Sequence, residues 1–172
     1  MSASFAIEEI GGGDAADISG FATMAYVAAF GADFDDPEDL RHHLATGLSV
    51  EAWRRYLAVD RVFVARSGAQ IIGFAQIGDA EHRGDLELRR LYVDPHRQSE
   101  GIGAALMTHA LADPAVAAVP AVWLDVWQDN DGAQRFYRRF GFELTGDKRP
   151  FVLKSGRIDG YDLVMVRRRP GP

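Results

Sequence analysis

The run Val93-Asp94-Pro95-His96-Arg97-Gln98-Ser99-Glu100-Gly101-Ile102-Gly103-Ala104-Ala105-Leu106 reads as a strand end, a glycine-bearing turn and the opening of an amphipathic helix. The chemistry it offers belongs to the backbone. A helix start leaves N–H groups without intrahelical partners and carries partial positive charge, which suits an anionic phosphate. Gly101 and Gly103 would let such a group approach closely, although the same glycines also serve a tight connection that binds nothing. A P-loop is excluded, because it needs Lys and then Ser or Thr after its last glycine, where this chain has alanines. A dinucleotide fingerprint keeps only a foothold: Asp125 lies at a tolerable distance for a ribose-binding acid, but Leu106 occupies the place of the third glycine.

Other chemistries are narrowed by composition. The chain has no cysteine, so disulfides, thiolate metal sites and cysteine nucleophiles are excluded. His42 and His43 are neighbours that cannot share a helix face, and His82, His96 and His109 stand alone, so no metal is expected. A formal net charge of −6 argues against a nucleic-acid partner and mildly suits a cationic substrate, and the closing Arg167-Arg168-Arg169 reads as a solvated end. No run of eighteen uncharged apolar residues is present, and the opening MSASFAIEEI lacks the basic and apolar regions of a leader, so no membrane partner and a cytoplasmic location are expected.

The elements that must position the turn follow from periodicity. Phe5–Ile10 reads as a strand, Gly11–Gly13 as a turn, and Asp14 or Asp17 as the cap of a helix whose apolar residues Ile18, Phe21, Met24, Tyr26, Val27 and Phe30 run toward Gly31. Pro37–Thr46 is a short helix opening on proline, and Ser49 caps another. Arg61–Arg66 and Ile71–Ile77 form an antiparallel hairpin, and Leu86–Val93 is the next strand. A helix from about Gly101 to Ala112, the strand Ala121–Val126 and a helix from about Gly132 to Phe140 follow, then strands at Phe142–Thr145 and Tyr161–Val166. Antiparallel pairings bracketing one parallel crossover predict a mixed α/β sandwich. With 172 residues, 47% of them hydrophobic, and no linker or repeat, residues 1–172 are read as a single domain.

Two segments carry a resemblance to a known family. Gln98-Ser99-Glu100-Gly101-Ile102-Gly103 matches the Gln/Arg-x-x-Gly-x-Gly/Ala signature of the GNAT superfamily of N-acetyltransferases, and Leu91-Tyr92-Val93-Asp94-Pro95 resembles that family's fourth strand and its exit. Further on, Trp123 to Phe142 resembles the family's strand, Asn-x-x-Ala, helix tyrosine and Gly-Phe run. The resemblance implies a GNAT-type, mostly antiparallel central sheet flanked by helices, with acetyl-CoA as cosubstrate. Leu86 to Val93, the pair Trp123 and Trp127, and Gly160 to Met165 are similar to PaiA-type polyamine acetyltransferases. Ser99-Glu100 departs from the pattern, since many relatives carry small or basic residues there. An acid beside a pyrophosphate would be repelled unless it points to solvent, although its backbone amide can still serve.

The resemblance assigns roles that each have a plainer alternative. Tyr137 would protonate the departing thiolate, a phenol and a thiol having comparable pKa values, yet Ala133, Phe136, Tyr137 and Phe140 also share a helix face suited to packing. Glu87 would take the amine proton, directly or through water, or be a solvated strand carboxylate. Asn130 would bond the pantetheine arm or simply cap the helix. Leu91, Tyr92 and Val93 would lie along the pantetheine, with the Val93 amide polarising the thioester carbonyl, and Gln98, Ser99, Glu100, Gly101, Ile102, Gly103 and Ala104 would cradle the pyrophosphate. The acidic residues Asp33, Asp35, Asp36, Glu38 and Asp39 would attract a polycation or be a solvated helix start. The resulting expectation is direct acetyl transfer to a small primary amine, polyamines included, in a chain for which a homodimer stays open. Acetylation of a protein N-terminus or lysine, and a non-catalytic acyl-CoA sensor, remain alternatives.

Overall fold

The computed structural model describes residues 4–82 and 84–169; the first three residues of the opening segment and the extreme ends of the expected 1–172 domain lie outside the described residues. Among the described residues seven strands form one sheet: β1 (Ala6–Glu9), β2 (Arg61–Ser67), β3 (Gln70–Asp79), β4 (Leu86–Val93), β5 (Ala121–Trp127), β6 (Glu143–Val152) and β7 (Ile158–Arg168), in the order β1-β2-β3-β4-β5-β7-β6. The pairings of β1 with β2, β2 with β3, β5 with β7 and β6 with β7 are antiparallel, while β4 and β5 are parallel. Among the described residues six α-helices accompany the sheet: α1 (Ala15–Phe30), α2 (Pro37–Gly47), α3 (Val50–Val59), α4 (Ile102–Ala112), α5 (Pro114–Ala118) and α6 (Asp131–Arg139). The chain divides into two compact units, Met1–Ile77 with Arg90–Ala110, and Gly78–Arg89 with Leu111–Pro172.

The first unit is built on α1, α3, β2 and β3. Ile18, Ala22, Ala25, Trp53, Val62, Val64 and Phe74 form its buried cluster. Phe21 and Trp53 meet the Phe74 ring edge-on at 6.1 and 5.3 Å. Met24 and Val27, expected on the packed side of α1, are exposed, each at 41%. The helical period explains the difference: Ala15, Ile18, Ala22 and Ala25 make the buried stripe, and Met24 and Val27 fall on the far side of it. Together with its flanking turns, Gly12–Asp33 is long and apolar enough by composition to cross a membrane, but its small-residue stripe is spent on this core. Asp36 caps α2 by accepting from the Glu38 amide at 2.8 Å, and Ser49 caps α3 by accepting from Ala52 at 3.2 Å. The fully buried Gln76 joins these helices to the strands, since it donates to Asp60 at 2.6 Å and accepts from Arg90 at 2.6 Å.

In the second unit the strict alternation of β5 puts Val122, Leu124 and Val126 in the core and leaves Trp123, Asp125 and Trp127 half-buried on the other face. β6 is longer than the expected Phe142–Thr145. It passes Gly146, whose φ is +94°, with a register shift between Leu144 and Lys148, and it tolerates Pro150 because it is the outermost strand. The short helix α5 was not anticipated, although Asp113 caps it, accepting from Ala115 at 2.9 Å, with Pro114 in its first turn. The terminal arginines are not a free end, because β7 runs through Arg168 and the Arg167 Nε donates to the Phe140 carbonyl at 3.0 Å.

Candidate active site

In the first unit, the Asp94 amide donates to the Ile72 carbonyl at 2.9 Å, so the chain leaves β4 still laddered to β3. A trans peptide sets the Val93 carbonyl opposite that amide, and the pleat turns the Val93 and Leu91 peptide groups away from β3. The register of β4 with β5 covers Leu86–Leu88 against Val122–Leu124, well before these residues. Tyr92 is placed differently: its ring stacks on Phe74 at 5.7 Å, edge-on to Phe30 at 6.4 Å. Gly73, which sequence reasoning passed over, is the backstop here. A Cβ on it would stand 3.0 Å from both Ile102 and Leu106 and 3.1 Å from the Tyr92 carbonyl, so α4 packs against β3 only because this strand residue has no side chain.

The expected anion-binding turn follows. Asp94 accepts from the His96 amide at 2.9 Å and starts a single 3-10 turn over Pro95–Arg97. Ser99, with φ of 73°, is the one non-glycine among the described residues with a positive φ, and Gly101 has φ of 81°. The ladder of α4 begins where Ala105 donates to Gly101 at 2.9 Å, so the amides of Ile102, Gly103 and Ala104 come before any intrahelical acceptor. That array, with a left-handed kink ahead of it and open space at the Gly101 Cβ position, fits a diphosphate. Glu100 does not face it as a bare charge, because Arg97 donates to one of its carboxylate oxygens from Nε at 3.1 Å and Nη2 at 2.8 Å.

In the second unit, Asn130 caps α6: its side-chain oxygen accepts from the Ala133 amide at 3.0 Å. The other end of α6 closes on Gly141, whose φ is +84°. Gly141 donates to the Arg138 carbonyl at 3.0 Å and Phe142 to the Tyr137 carbonyl at 3.2 Å, the paired bonds of a Schellman end. The apolar contact that accompanies such an end is Tyr137 against the buried Phe142, ring centroids 6.0 Å apart. The Gly-Phe pair thus holds the tyrosine in place. Gln134, buried and not singled out from the sequence, donates to the Gln128 carbonyl at 3.0 Å and ties α6 to the end of β5.

Glu87 stands in register with Trp123, on the sheet face that also presents Asp125, Trp127, Asp162 and Arg149. Its carboxylate is 3.5 Å from Arg89 Nη1. Burial pushes Glu87 above the ordinary glutamate range, partly offset by Arg89. Asp125 and Asp162 are raised for the same leading reason. Trp127 is fixed over this face by Gly160, where a Cβ would run into the indole, and by Phe151, edge-on at 6.0 Å. Trp123 donates to Asp85 at 2.8 Å.

The expected residues therefore form two groups: Leu91–Val93 and Gln98–Ala104 in the first unit, Glu87, Asn130 and Tyr137 in the second. Within the second, Glu87 belongs to a charged sheet face and Tyr137 to the aromatic end of α6. Of the acidic stretch, Asp36 serves as a cap, Glu38 pairs with Arg41 and Asp39 is buried, while Asp33 and Asp35 are exposed. Among the described residues no group of three or more histidines and acids could hold a metal ion.

The mixed sheet, with a strand-turn-helix run that leaves the first amides of α4 without intrahelical acceptors, is an architecture that known acetyltransferases share. The profile described as "Acetyltransferase (GNAT) domain" matches residues 58–144. An uncharacterized N-acetyltransferase of Mycobacterium tuberculosis is 35% identical over 133 residues, covering 76% of this chain and 83% of the relative. The N-alpha-acetyltransferase RimI of the same organism is 36% identical over 109 residues, 62% and 65% of the two chains. Among solved structures, the PaiA N-acetyltransferase of Thermoplasma acidophilum in complex with coenzyme A superposes with a TM-score of 0.79 at 19% identity, covering 96% and 99%. The chain belongs to the GNAT family and is an N-acetyltransferase.

Proposed function

We propose that residues 1–172 act as a single N-acetyltransferase domain that moves the acetyl group of acetyl-CoA directly to a small primary amine, polyamines being the favoured class. The observation that carries this is the end of β4: two outward peptide groups run into a kinked turn and the amides of α4. That sequence of donors suits an extended arm ending in a diphosphate. The complex of the PaiA N-acetyltransferase with coenzyme A supports the same choice of cosubstrate. When bound, acetyl-CoA supplies an acyl thioester with a thiolate leaving group.

Each residue then has a task. The amides of Gly101 to Ala104 receive the diphosphate, and the Ser99 kink aims them. Leu91 and Val93 offer peptide groups to the pantetheine arm, and the Val93 amide polarises the carbonyl. Tyr92 holds the strand from the core side, and the Asn130 amide nitrogen is the group left for the arm once its oxygen has capped α6. Glu87 removes the amine proton, its raised pKa bringing it closer to the working pH of a general base, and Tyr137 returns a proton to sulfur. The chain has no cysteine to carry an acyl group, so sequential kinetics are expected and parallel-line kinetics would contradict direct transfer. The absence of cysteine also fits a reducing cytoplasm.

The test is coenzyme A release from acetyl-CoA across spermidine, spermine, alkyl and aryl amines, amino acids and short peptides. Preference for polyamines is expected. The RimI relative favours a second reading, N-terminal acetylation of a protein, which turnover with peptides above small amines would establish. Coenzyme binding with no turnover on any acceptor would contradict both readings and favour a sensor.

A further inference from the structure

We infer that Arg149 is a positioning residue for amine deprotonation: clamped between Glu81 and Asp125, it fixes a positive charge on the face that carries Glu87 and so sets how firmly that carboxylate holds a proton. The inference rests on the reading of Glu87 as the base. The clamp is geometric. Arg149 Nη1 is 2.8 Å from Glu81 Oε1, and its Nε is 3.2 Å from Asp125 Oδ2. Its strand position is opposite Asp162, which is in turn opposite Trp127. One guanidinium is thereby held by the β3–β4 loop on one side and by β5 on the other.

Stability is a poor reason for this arrangement. Glu81 and Arg149 keep 72% and 40% of their side-chain surface exposed, and a pair so exposed is screened by water and adds little to stability. Placement of charge is the better one. Four charged groups act on Glu87: Arg89 from β4 itself, Asp125 from β5, Arg149 from β6 and Glu81 from the loop. Asp162, on β7, is raised first by burial and then by the charge of Asp125. Arg89 is committed elsewhere as well, because its Nη2 donates to the Asp79 carbonyl at 3.0 Å. Burial favours the protonated form of Glu87, the two arginines oppose it, and Asp125 and Glu81 reinforce it. An Arg149 free to approach Glu87 would lower the carboxyl's hold on its proton, and one withdrawn would raise it. The two-carboxylate clamp avoids both.

The test is a carbon-13 titration of the Glu87 carboxyl in the chain without ligand, the resonance assigned by its loss in Glu87→Gln. Arg149→Gln should move the midpoint up, Asp125→Asn should move it down, and Arg149→Lys should restore it toward the wild-type value. Opposite shifts are not what a loosened fold produces, and a midpoint that stays put in both variants, or moves the same way in both, overturns the inference. The pH profile of kcat/KM separates the two layers. An acidic limb that survives Glu87→Gln overturns the base reading, and the catalytic meaning of the clamp with it. A limb that vanishes there, while the Glu87 midpoint ignores both Arg149→Gln and Asp125→Asn, overturns the clamp alone.

Discussion

Tyr137, proposed as the general acid, also carries a structural ring, and the two contributions can be separated by substitution. Its ring meets Phe142 at 6.0 Å and Phe136 at 5.5 Å, and its carbonyl closes the Schellman end. Phenylalanine preserves all of these and removes only the hydroxyl. Tyr137→Phe should therefore lower kcat by about 10²- to 10⁴-fold, the usual range for a general acid, while calorimetric affinity for coenzyme A is retained. Unchanged turnover would retire the assignment. At this scale the sequence was a good guide to residue types, since glycines, a tyrosine and an asparagine at family spacing are legible in one dimension. Gly73 was not legible. Its role lies in a 3.0 Å approach by two side chains of α4, and a strand glycine carries no mark of its neighbour.

The elements show why motif residues so often serve two purposes. Gly141 belongs to the Gly-Phe run that carries the family resemblance, and it is also the left-handed residue that ends α6, with φ of +84°. A Cβ there would meet Arg167 at 3.7 Å, an ordinary contact, so the cost of Gly141→Ala is mainly the backbone conformation. That cost is about 1–2 kcal/mol, or roughly 2–4 °C in Tm per kcal/mol for a chain of this size. A variant as stable as wild type would show that the Schellman end does not hold α6. Helix starts were legible because caps and first-turn prolines are local chemistry, as at Asp36-Pro37 and Ser49. β6 was not, because Gly146, Asp147 and Pro150 are breakers by composition. A bulge and an outermost position, both properties of pairing, let the strand run through them.

For the whole molecule the informative quantity is the placement of charge within a net of −6. Glu87, Asp125 and Asp162 each have pKa values raised by burial. A carboxylate whose folded pKa exceeds its unfolded one binds protons more tightly when folded, so stability is lost as pH rises from the unfolded value through the folded one. Glu81 runs the other way, lowered by Arg149, and the stability it contributes is present above the unfolded value and lost as pH falls. Asp162→Asn should accordingly raise Tm at neutral pH relative to wild type and shrink that advantage in acid below the ordinary aspartate range. A gain of equal size at both pH values would point to packing instead. Local chemistry determined most of the elements and the amide-rich helix start, because periodicity, caps and residue types act over a few positions. Only the tertiary structure decided that Gly73 would admit α4, and that Arg149 would join Glu81 and Asp125 from 68 and 24 residues away in sequence. Those pairings are set by strand register and packing, which bring together charges that no local pattern relates.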